Sequence, residues 1–222
     1  MKSLRYSCLL TTVLVIMLFA IQPLRAGETI VYNDDFGMLR PVPLWWRWSQ
    51  SSAAGDLYLY PSLSDSGNSV TVLDTGSTDP TSLFILGGGS DTAEVGNNLL
   101  VLSNAQSHAA LGGYSRYSDV SNNSVYFSSI GATVVRFVYG GWTSEGKAKG
   151  NSVHIASGEI RDLVVGGSSA DGDATGNSVL VSEETPVATI VGNATGGESV
   201  SGNATGNYVD ISGGEVSGYV EG

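Results

Sequence analysis

The chain contains few of the residue types that catalysis and covalent cross-linking most often use. Its 222 residues include one cysteine, Cys8, and two histidines, His108 and His154. Cys8 lies in an N-terminal segment that we expect to be removed on export, which leaves the mature chain without cysteine. A disulfide framework and thiol chemistry are therefore excluded for the mature protein. Its stability has to come from packing of the chain itself.

The first 26 residues have the pattern of a secretory signal peptide. Lys2 and Arg5 precede an apolar run from about Cys8 to Ile21, and the small residue Ala26 provides a cleavage site. The alternative is a membrane anchor, but the run is shorter than the roughly 20 residues needed to span a bilayer. We predict an exported protein at the cell surface or outer membrane if a barrel is supplied, and otherwise a periplasmic or secreted one.

Basic residues are scarce, and this limits the partners of the protein. Cleavage removes Lys2, Arg5 and Arg25, so that 7 of the 10 basic residues remain against 21 acidic ones, a net charge of −14. Such a surface repels nucleic acid and anionic membranes. We therefore expect no nucleic-acid partner.

The sequence has no recognisable catalytic or metal-binding motif. Nucleophile-elbow, dinucleotide-binding and phosphate-loop patterns are missing, and no spacing of histidine and cysteine indicates zinc. Asp171 and Asp173 are flanked by glycines and offer a faint calcium signal, but aspartate and glycine are also common turn residues. Both histidines fall at strand positions expected to face solvent. We predict no catalytic, cofactor-binding or metal-binding residue and no enzymatic activity.

A short motif recurs six times at a nearly constant spacing. Each copy has glycine or asparagine, then asparagine, then apolar residues at a period of two, and the copies occupy residues 67–72, 96–101, 122–127, 150–155, 176–181 and 206–211. Taking Asn97 as the asparagine of the second copy, the steps between copies are 29, 26, 28, 26 and 30 residues. A period of this length is the signature of a repeat architecture.

The repeat unit predicts an all-β fold. The alternating apolar residues indicate a strand with one buried face, and a second strand-like segment ends in a glycine pair where we expect unusual backbone dihedrals. Small apolar residues such as Ala148 and Ala174 mark a third inward position. We predict a parallel β-solenoid with coils of about 27 residues. Stacked asparagines should form a ladder of amide hydrogen bonds, made by Asn97, Asn123, Asn151, Asn177 and Asn207.

Three segments follow from these patterns: a signal peptide (1–26), an N-terminal cap or pre-repeat segment (27–66) and solenoid repeats (67–222). The middle segment is irregular and contains Trp45, Trp46 and Trp48. These aromatic residues either cover the apolar end of the first coil, as terminal units of repeat arrays do, or form a sugar-binding platform. We expect the repeats to be incomplete at the C-terminus, because Gly222 falls in the middle of a coil.

Residues 67–222 resemble the passenger domains of bacterial autotransporters. The resemblance rests on the Gly-Asn-x-Val-x-Ile strand, the Val-Tyr-Gly-Gly segment at 138–141, the Gly-Asp-Ala-Thr-Gly-Asn segment at 172–177 and the cleavable signal. It implies an exported β-helical adhesin or structural stalk, whose ligand is a host-surface protein or glycan. It also implies a C-terminal outer-membrane β-barrel translocator, which we expect in the full-length protein and not in this truncated sequence.

Two alternatives remain open at the level of sequence. One is a β-helical glycan-active enzyme, either a polysaccharide lyase or a hydrolase. Counting four residues back from the glycine pairs places His108, Arg136 and Asp162 in one column of neighbouring coils, and a surface ion pair explains the last two equally well. The other alternative is a nonfunctional truncated remnant.

Overall fold

The computed structural model describes residues 29–32, 40–41, 57–59, 66–72, 83–103, 105–129, 134–182 and 187–222. Every regular element within these ranges is a β-strand. The predicted signal peptide and the cluster of Trp45, Trp46 and Trp48 lie outside the described residues.

The strands are short except where one segment of each coil runs through a bend. In chain order they are β1 (Thr29–Tyr32), β2 (Arg40–Pro41), β3 (Leu57–Leu59), β4 (Ser69–Val72), β5 (Leu83–Leu86), β6 (Gly89–Ser90), β7 (Val95–Gly96), β8 (Leu99–Ser103), β9 (Ser107–Ser115), β10 (Val120–Ser121), β11 (Ser124–Ser128), β12 (Val134–Thr143), β13 (Ala148–Lys149), β14 (Ser152–Ile155), β15 (Gly158–Ser169), β16 (Ala174–Thr175), β17 (Ser178–Val181), β18 (Ala188–Ile190), β19 (Asn193–Ser199), β20 (Ala204–Thr205), β21 (Tyr208–Ile211), β22 (Glu215–Val216) and β23 (Val220–Glu221).

These strands form three sheets that run along one axis. Within the described ranges, sheet A has the order β1-β4-β8-β11-β14-β17-β21, and sheet C has the order β20-β16-β13-β10-β7. Sheet B follows β2-β3-β5-β9-β12-β15-β18-β22, with β6, β19 and β23 attached. All the pairings are parallel except the one between β2 and β3. The predicted parallel β-solenoid is therefore confirmed, with about five coils of roughly 28 residues each.

Side chains of equivalent positions stack from coil to coil in the core. On sheet A, Val125 pairs in register with Val153, and Val153 pairs with Val179. These residues pack against inward residues of sheet B, such as Val138 and Val164, in one continuous cluster. A second, smaller cluster of Val95, Val120 and Ala148 lies under sheet C, at the third inward position that the sequence predicts. Alternation of apolar and polar residues thus produces a filled solenoid.

A column of asparagines joins the coils at one corner. In each rung, the side-chain Nδ2 and the backbone N–H of one asparagine donate to Oδ1 of the asparagine in the next coil, at 2.8 to 3.2 Å. The members of this asparagine ladder are Asn68, Asn98, Asn123, Asn151, Asn177 and Asn207. The predicted ladder therefore exists, and its inner rungs are buried.

The register predicted for the second coil is wrong by one residue. Asn98 is the rung, whereas Asn97 is exposed and has a φ of 57°. Most other coils use glycine at this left-handed position, as at Gly150 with a φ of 62°, and the third copy uses Asn122 with a φ of 54°. Asparagine is one of the few other residues that tolerate this conformation. The shift also exchanges the two faces of the strand. Leu99 is exposed, and Leu100 is buried.

The glycine pairs have a different role from the predicted one. Gly112-Gly113, Gly140-Gly141 and Gly166-Gly167 lie inside β9, β12 and β15, and none of them has a positive φ. They are required because the opposite wall of the coil comes too close for a side chain. A Cβ on Gly140 would lie 2.7 Å from the backbone nitrogen of Ser152, and one on Gly141 would lie 2.5 Å from Oδ1 of Asn151. The glycines therefore mark a narrow part of the coil's cross-section, where the asparagine ladder runs.

A second polar column follows each glycine pair. The hydroxyl of each member accepts a hydrogen bond from the backbone N–H three residues later and donates one to a turn carbonyl of the preceding coil, at 2.7 to 3.1 Å. The members of this hydroxyl column are Ser115, Thr143, Ser169 and Ser199. Each hydroxyl closes its own turn and ties that turn to the coil below it.

The asparagine ladder gives a direct test of the register. Replacing Asn98 by alanine should lower the free energy of unfolding by about 1 to 3 kcal/mol, because two buried donors of Asn68 lose their acceptor. The matched control is Asn97→Gly at the adjacent exposed position. It should change stability by less than about 0.5 kcal/mol, because glycine adopts a positive φ without strain. Denaturant unfolding measures both variants, and equal effects would contradict the assignment of Asn98 as the rung.

Candidate functional site on the outer face of sheet B

An apolar cluster covers the outside of sheet B. Inward residues of this sheet, such as Val138 and Val164, belong to the core, so their sequence neighbours on the same strands face outward. These neighbours form a separate cluster, which we call the outer groove, made by Phe84, Leu86, Ala109, Leu111, Tyr114, Phe137, Tyr139, Trp142, Leu163 and Val165. A solenoid wall facing only water would instead carry polar residues here. The outer groove is therefore the most distinctive surface of the described chain.

The glycine pairs shape this groove. Tyr139 precedes the pair of its strand and Tyr114 follows the pair of the neighbouring strand, and both belong to the same cluster. Residues on the two arms of the bend can pack together in this way only if the outer face is concave there. Tyr114 is 8% exposed and Tyr139 is 9% exposed, although both point away from the core. The two tyrosines are thus buried among the other apolar residues of this cluster, on the outer side of sheet B.

Aromatic rings stack along the groove in the direction of the solenoid axis. Trp142 pairs in register with Tyr114, and their rings are parallel within 8° at a centroid distance of 5.2 Å. Phe84, Phe137 and Trp142 are half-buried and keep part of their surface accessible. Large amphipathic rings of this kind are enriched at protein interfaces because they bury apolar area and retain a polar handle.

The chemistry of the groove changes from one end to the other. At the coil of β19, the positions equivalent to Tyr139 and Trp142 are Thr195 and Glu198. Ser168 lies on β15, between β12 and β19, and its hydroxyl donates a hydrogen bond of 2.8 Å to Oε1 of Glu198. The groove is therefore aromatic over β5, β9 and β12, and it becomes polar and acidic at Ser168 of β15 and at Thr195 and Glu198 of β19.

Burial changes the ionisation of the groove tyrosines. Desolvation by burial, together with the negative charge of Asp91, raises the pKa of Tyr114 to about 12. Desolvation also raises the pKa of Tyr139, with a smaller contribution from Glu198. The pKa of the Asp91 carboxyl is itself raised by burial, against an opposing effect of Arg116. Both tyrosines stay protonated far above their ordinary range, so they act as neutral hydroxyls.

The column predicted from the glycine spacing is assembled beside the groove. Nε of Arg136 lies 2.6 Å from Oδ2 of Asp162 in the next coil. His108 precedes Arg136 in the column, and its ring packs between Phe84 and Phe137 at centroid distances of 5.2 Å. The three residues are therefore neighbours, as predicted. Arg136 separates His108 from the carboxylate, and aromatic rings border the imidazole on both sides.

The expectation that both histidines are solvated is only partly correct. His108 and His154 face outward but are half-buried. The ring of His154 meets Tyr126 edge-on at 5.0 Å, and its Nε2 lies 2.8 Å from the hydroxyl of Ser182. Columns of outward side chains pack on each other between coils, which a single strand pattern does not reveal.

The faint calcium signal at Asp171 and Asp173 coincides with a different set of contacts. Asp173 accepts hydrogen bonds of 3.1 Å from both the backbone N–H and the side-chain amide of Asn203, and Lys147 lies 3.5 Å away. These contacts lower the pKa of the Asp173 carboxyl, and the hydrogen bonds from Asn203 make the largest contribution. In the part of the chain that the structure describes, no group of three or more His, Cys, Asp or Glu side chains is placed to hold a metal.

Sequence reasoning missed the outer groove, although a signal was present. Phe84-Ile85-Leu86, Phe137-Val138-Tyr139 and Leu163-Val164-Val165 are apolar at three consecutive positions. A strand with one buried face alternates, whereas a continuous apolar run is typical of a strand covered on both faces. These runs predict an apolar surface outside the solenoid as well as inside it.

The fold defines the class: the chain is a parallel β-solenoid protein with an apolar cluster on the outer side of sheet B. Comparison with protein-family models, with curated proteins and with solved structures gave no match. Among the described residues, no helix is long and apolar enough to cross a membrane.

The buried tyrosines predict a fall in stability at alkaline pH. In the unfolded chain, tyrosine loses its proton near pH 10, whereas folding raises the pKa of Tyr114 to about 12. The stabilisation that is fully present below pH 10 is therefore lost as the pH rises toward 12. Between the two pKa values, each such tyrosine lowers the free energy of unfolding by roughly 1.4 kcal/mol per pH unit. Tyr139→Phe keeps the ring and removes one proton, so its stability should decline less steeply than that of the wild type. Denaturant midpoints from about pH 9 to 12 measure this, and identical pH profiles would refute it.

Proposed function

We propose that the protein is an exported β-helical passenger of the autotransporter type, which acts at the cell surface as an adhesin or structural stalk and has no enzymatic activity. The solenoid fold, the repeat motifs and the N-terminal signal pattern support this proposal. A β-barrel translocator in the outer membrane would carry the chain to the surface. Without such a partner, the chain would remain in the periplasm or be secreted.

The observation that carries the adhesin function is the outer groove. Its half-buried rings Phe84, Phe137 and Trp142 are contributed by neighbouring coils, and a concave aromatic surface of this kind fits a host-surface glycan or a protein ligand. The polar end at Ser168 and Glu198 offers hydrogen-bonding groups beside the rings. Affinity would come from the aromatic part and specificity from the polar part.

Charge narrows the class of ligand. The mature chain has a net charge of −14, and Asp91 and Glu198 lie at the groove. Anionic partners such as nucleic acid or polyanionic glycans would be repelled. A neutral glycan or a protein surface of neutral or positive charge is therefore the preferred ligand.

Surface display tests this function. Cells of a two-membrane bacterium that display the chain on a β-barrel should bind host cells or a glycan array. The double variant Phe137→Ser, Trp142→Ser should bind at least about tenfold more weakly, because it lacks two accessible rings of the groove. The matched control is Tyr126→Ser, which removes a half-buried outward ring from sheet A and should leave binding unchanged.

The result distinguishes the two forms of the proposal. Equal binding by the groove variants and the wild type would exclude the groove as the ligand site. A displayed wild type that binds nothing would exclude an adhesin and leave the stalk. Thermal unfolding of each variant shows whether the fold is retained.

The glycan-active alternative requires the column of His108, Arg136 and Asp162 to be catalytic. We expect no hydrolysis or β-elimination on a panel of neutral and acidic polysaccharides, because the Arg136 guanidinium and the Asp162 carboxylate already satisfy each other as a partly exposed pair. Product formation by the wild type that is abolished by Asp162→Asn or Arg136→Ala would overturn this expectation and favour the lyase or hydrolase.

A further inference from the structure

The neighbouring strands β12 and β15 depart from regular alternation at the edge of the outer groove. On β12, Val135 and Val138 both belong to the core, so the two residues between them, Arg136 and Phe137, both point outward. The pairing with β15 shifts at the same point, where β15 has one residue more than β12. Bulges of this kind re-aim side chains and are common beside functional sites. This bulge brings Asp162 next to Arg136.

The ion pair at the bulge uses little of its hydrogen-bonding capacity. Nε of Arg136 donates to Oδ2 of Asp162 at 2.6 Å, and within the described residues this is the only hydrogen bond of either side chain. A guanidinium has five N–H donors, and a carboxylate can accept about four hydrogen bonds. The two side chains are 42% and 37% exposed, so their remaining donors and acceptors are accessible. The pair therefore offers both kinds of group side by side, without net charge.

An apolar surface lies directly beside the pair. The guanidinium carbon of Arg136 is 5.4 Å from the ring centroid of Phe137. Phe137 pairs in register with Leu163, which follows Asp162 in the sequence. Both Phe137 and Leu163 are half-buried members of the outer groove. In two neighbouring coils, a charged hydrogen-bonding group is thus next to accessible apolar area.

This combination matches the chemistry of a neutral sugar. A sugar ring carries C–H groups that pack on apolar side chains, and each of its hydroxyls both donates and accepts hydrogen bonds. Two hydroxyls on adjacent carbons fit a guanidinium beside a carboxylate, and hydrogen bonds to charged groups are stronger than those between neutral ones. Charged partners fit less well. A basic side chain would compete with Arg136 for Asp162, and an acidic group would meet the negative charge of the chain.

We propose that Arg136 and Asp162 recognise two adjacent hydroxyls of a neutral glycan whose ring packs on Phe137 and Leu163. One hydroxyl accepts from an Nη group of Arg136, and its neighbour donates to the carboxylate of Asp162. This inference rests on the proposal that the outer groove is the ligand site, and it selects a glycan over a protein as the ligand. The pair binds and orients the sugar, and no bond of the glycan is broken.

The probes are three soluble neutral glycans whose adjacent hydroxyls differ in arrangement: dextran, a β-1,4-glucan and a β-1,4-mannan. At least one of them should bind the purified chain saturably. Periodate cleaves the carbon–carbon bond between adjacent hydroxyls, and borohydride then reduces the aldehydes, so the treated glycan stays neutral without its hydroxyl pairs. This treatment should weaken binding at least about tenfold, because a site built to hydrogen-bond hydroxyls rejects an analogue that lacks them.

A β-1,3-glucan is the matched control for the glycans. Its internal residues carry no hydroxyls on adjacent carbons, although its charge and composition are those of the β-1,4-glucan. It should bind at least about tenfold more weakly than the glycan that binds best.

Two double variants test the residues. Arg136→Gln with Asp162→Asn keeps two polar side chains and the net charge, and should bind the glycan at least about tenfold more weakly than the wild type. The matched control is Glu159→Gln with Arg161→Gln, which removes the neighbouring ion pair of Nε and Oε1 at 2.9 Å. It should bind like the wild type. Thermal unfolding of both variants shows whether the fold is retained.

The outcomes separate this inference from the proposed function. Binding of none of the three glycans, or equal binding before and after periodate treatment, would overturn the inference. Normal binding by the variant of Arg136 and Asp162, with loss of binding by Phe137→Ser with Trp142→Ser, would keep the groove as the ligand site and overturn only the recognition of hydroxyls. Host-cell binding that depends on the groove but on no glycan would assign a protein ligand, and would overturn the inference as well.

Discussion

The amide hydrogen bond between asparagines of successive coils is the interaction on which the rest of the structure depends. The inner rungs are fully buried, so a coil that slipped by one residue would leave donors and acceptors unsatisfied at a considerable cost. The number of residues between rungs varies from 25 to 30. The strands nevertheless keep their register, because each coil is anchored at the same corner and its extra residues are taken up between strands.

Fixed register converts a one-dimensional repeat into columns of side chains. The asparagine ladder needs space, and the glycine pairs provide it by keeping the opposite wall free of Cβ atoms. The resulting narrow part of the coil bends sheet B so that its outer surface is concave, and Tyr114, Tyr139 and Trp142 lie there. The candidate ligand site and the polar ladder are therefore two sides of one bend. A substitution that widened this narrow part would alter the groove without changing any residue in it.

Much of the architecture could be predicted from the period and from the alternation of apolar residues, since both are local properties of the chain. The rung of the second coil could not, because Asn97 and Asn98 are adjacent and only the backbone conformation separates the turn residue from the ladder residue. Spacing alone predicted the contact of Arg136 with Asp162. The packing of His108 between Phe84 and Phe137 depends on rings from two other coils, and no single repeat contains that information.

The direction of the hydrogen bonds has a mechanical consequence for the solenoid. All three sheets are bonded along the solenoid axis, so a pull on the two ends loads every bond between one pair of coils together. Once these bonds fail, a coil of roughly 28 residues lengthens from about 4.8 Å to roughly 90 to 100 Å of extended chain. The solenoid would then yield coil by coil, and the chain released from each coil would be many times longer than the coil itself.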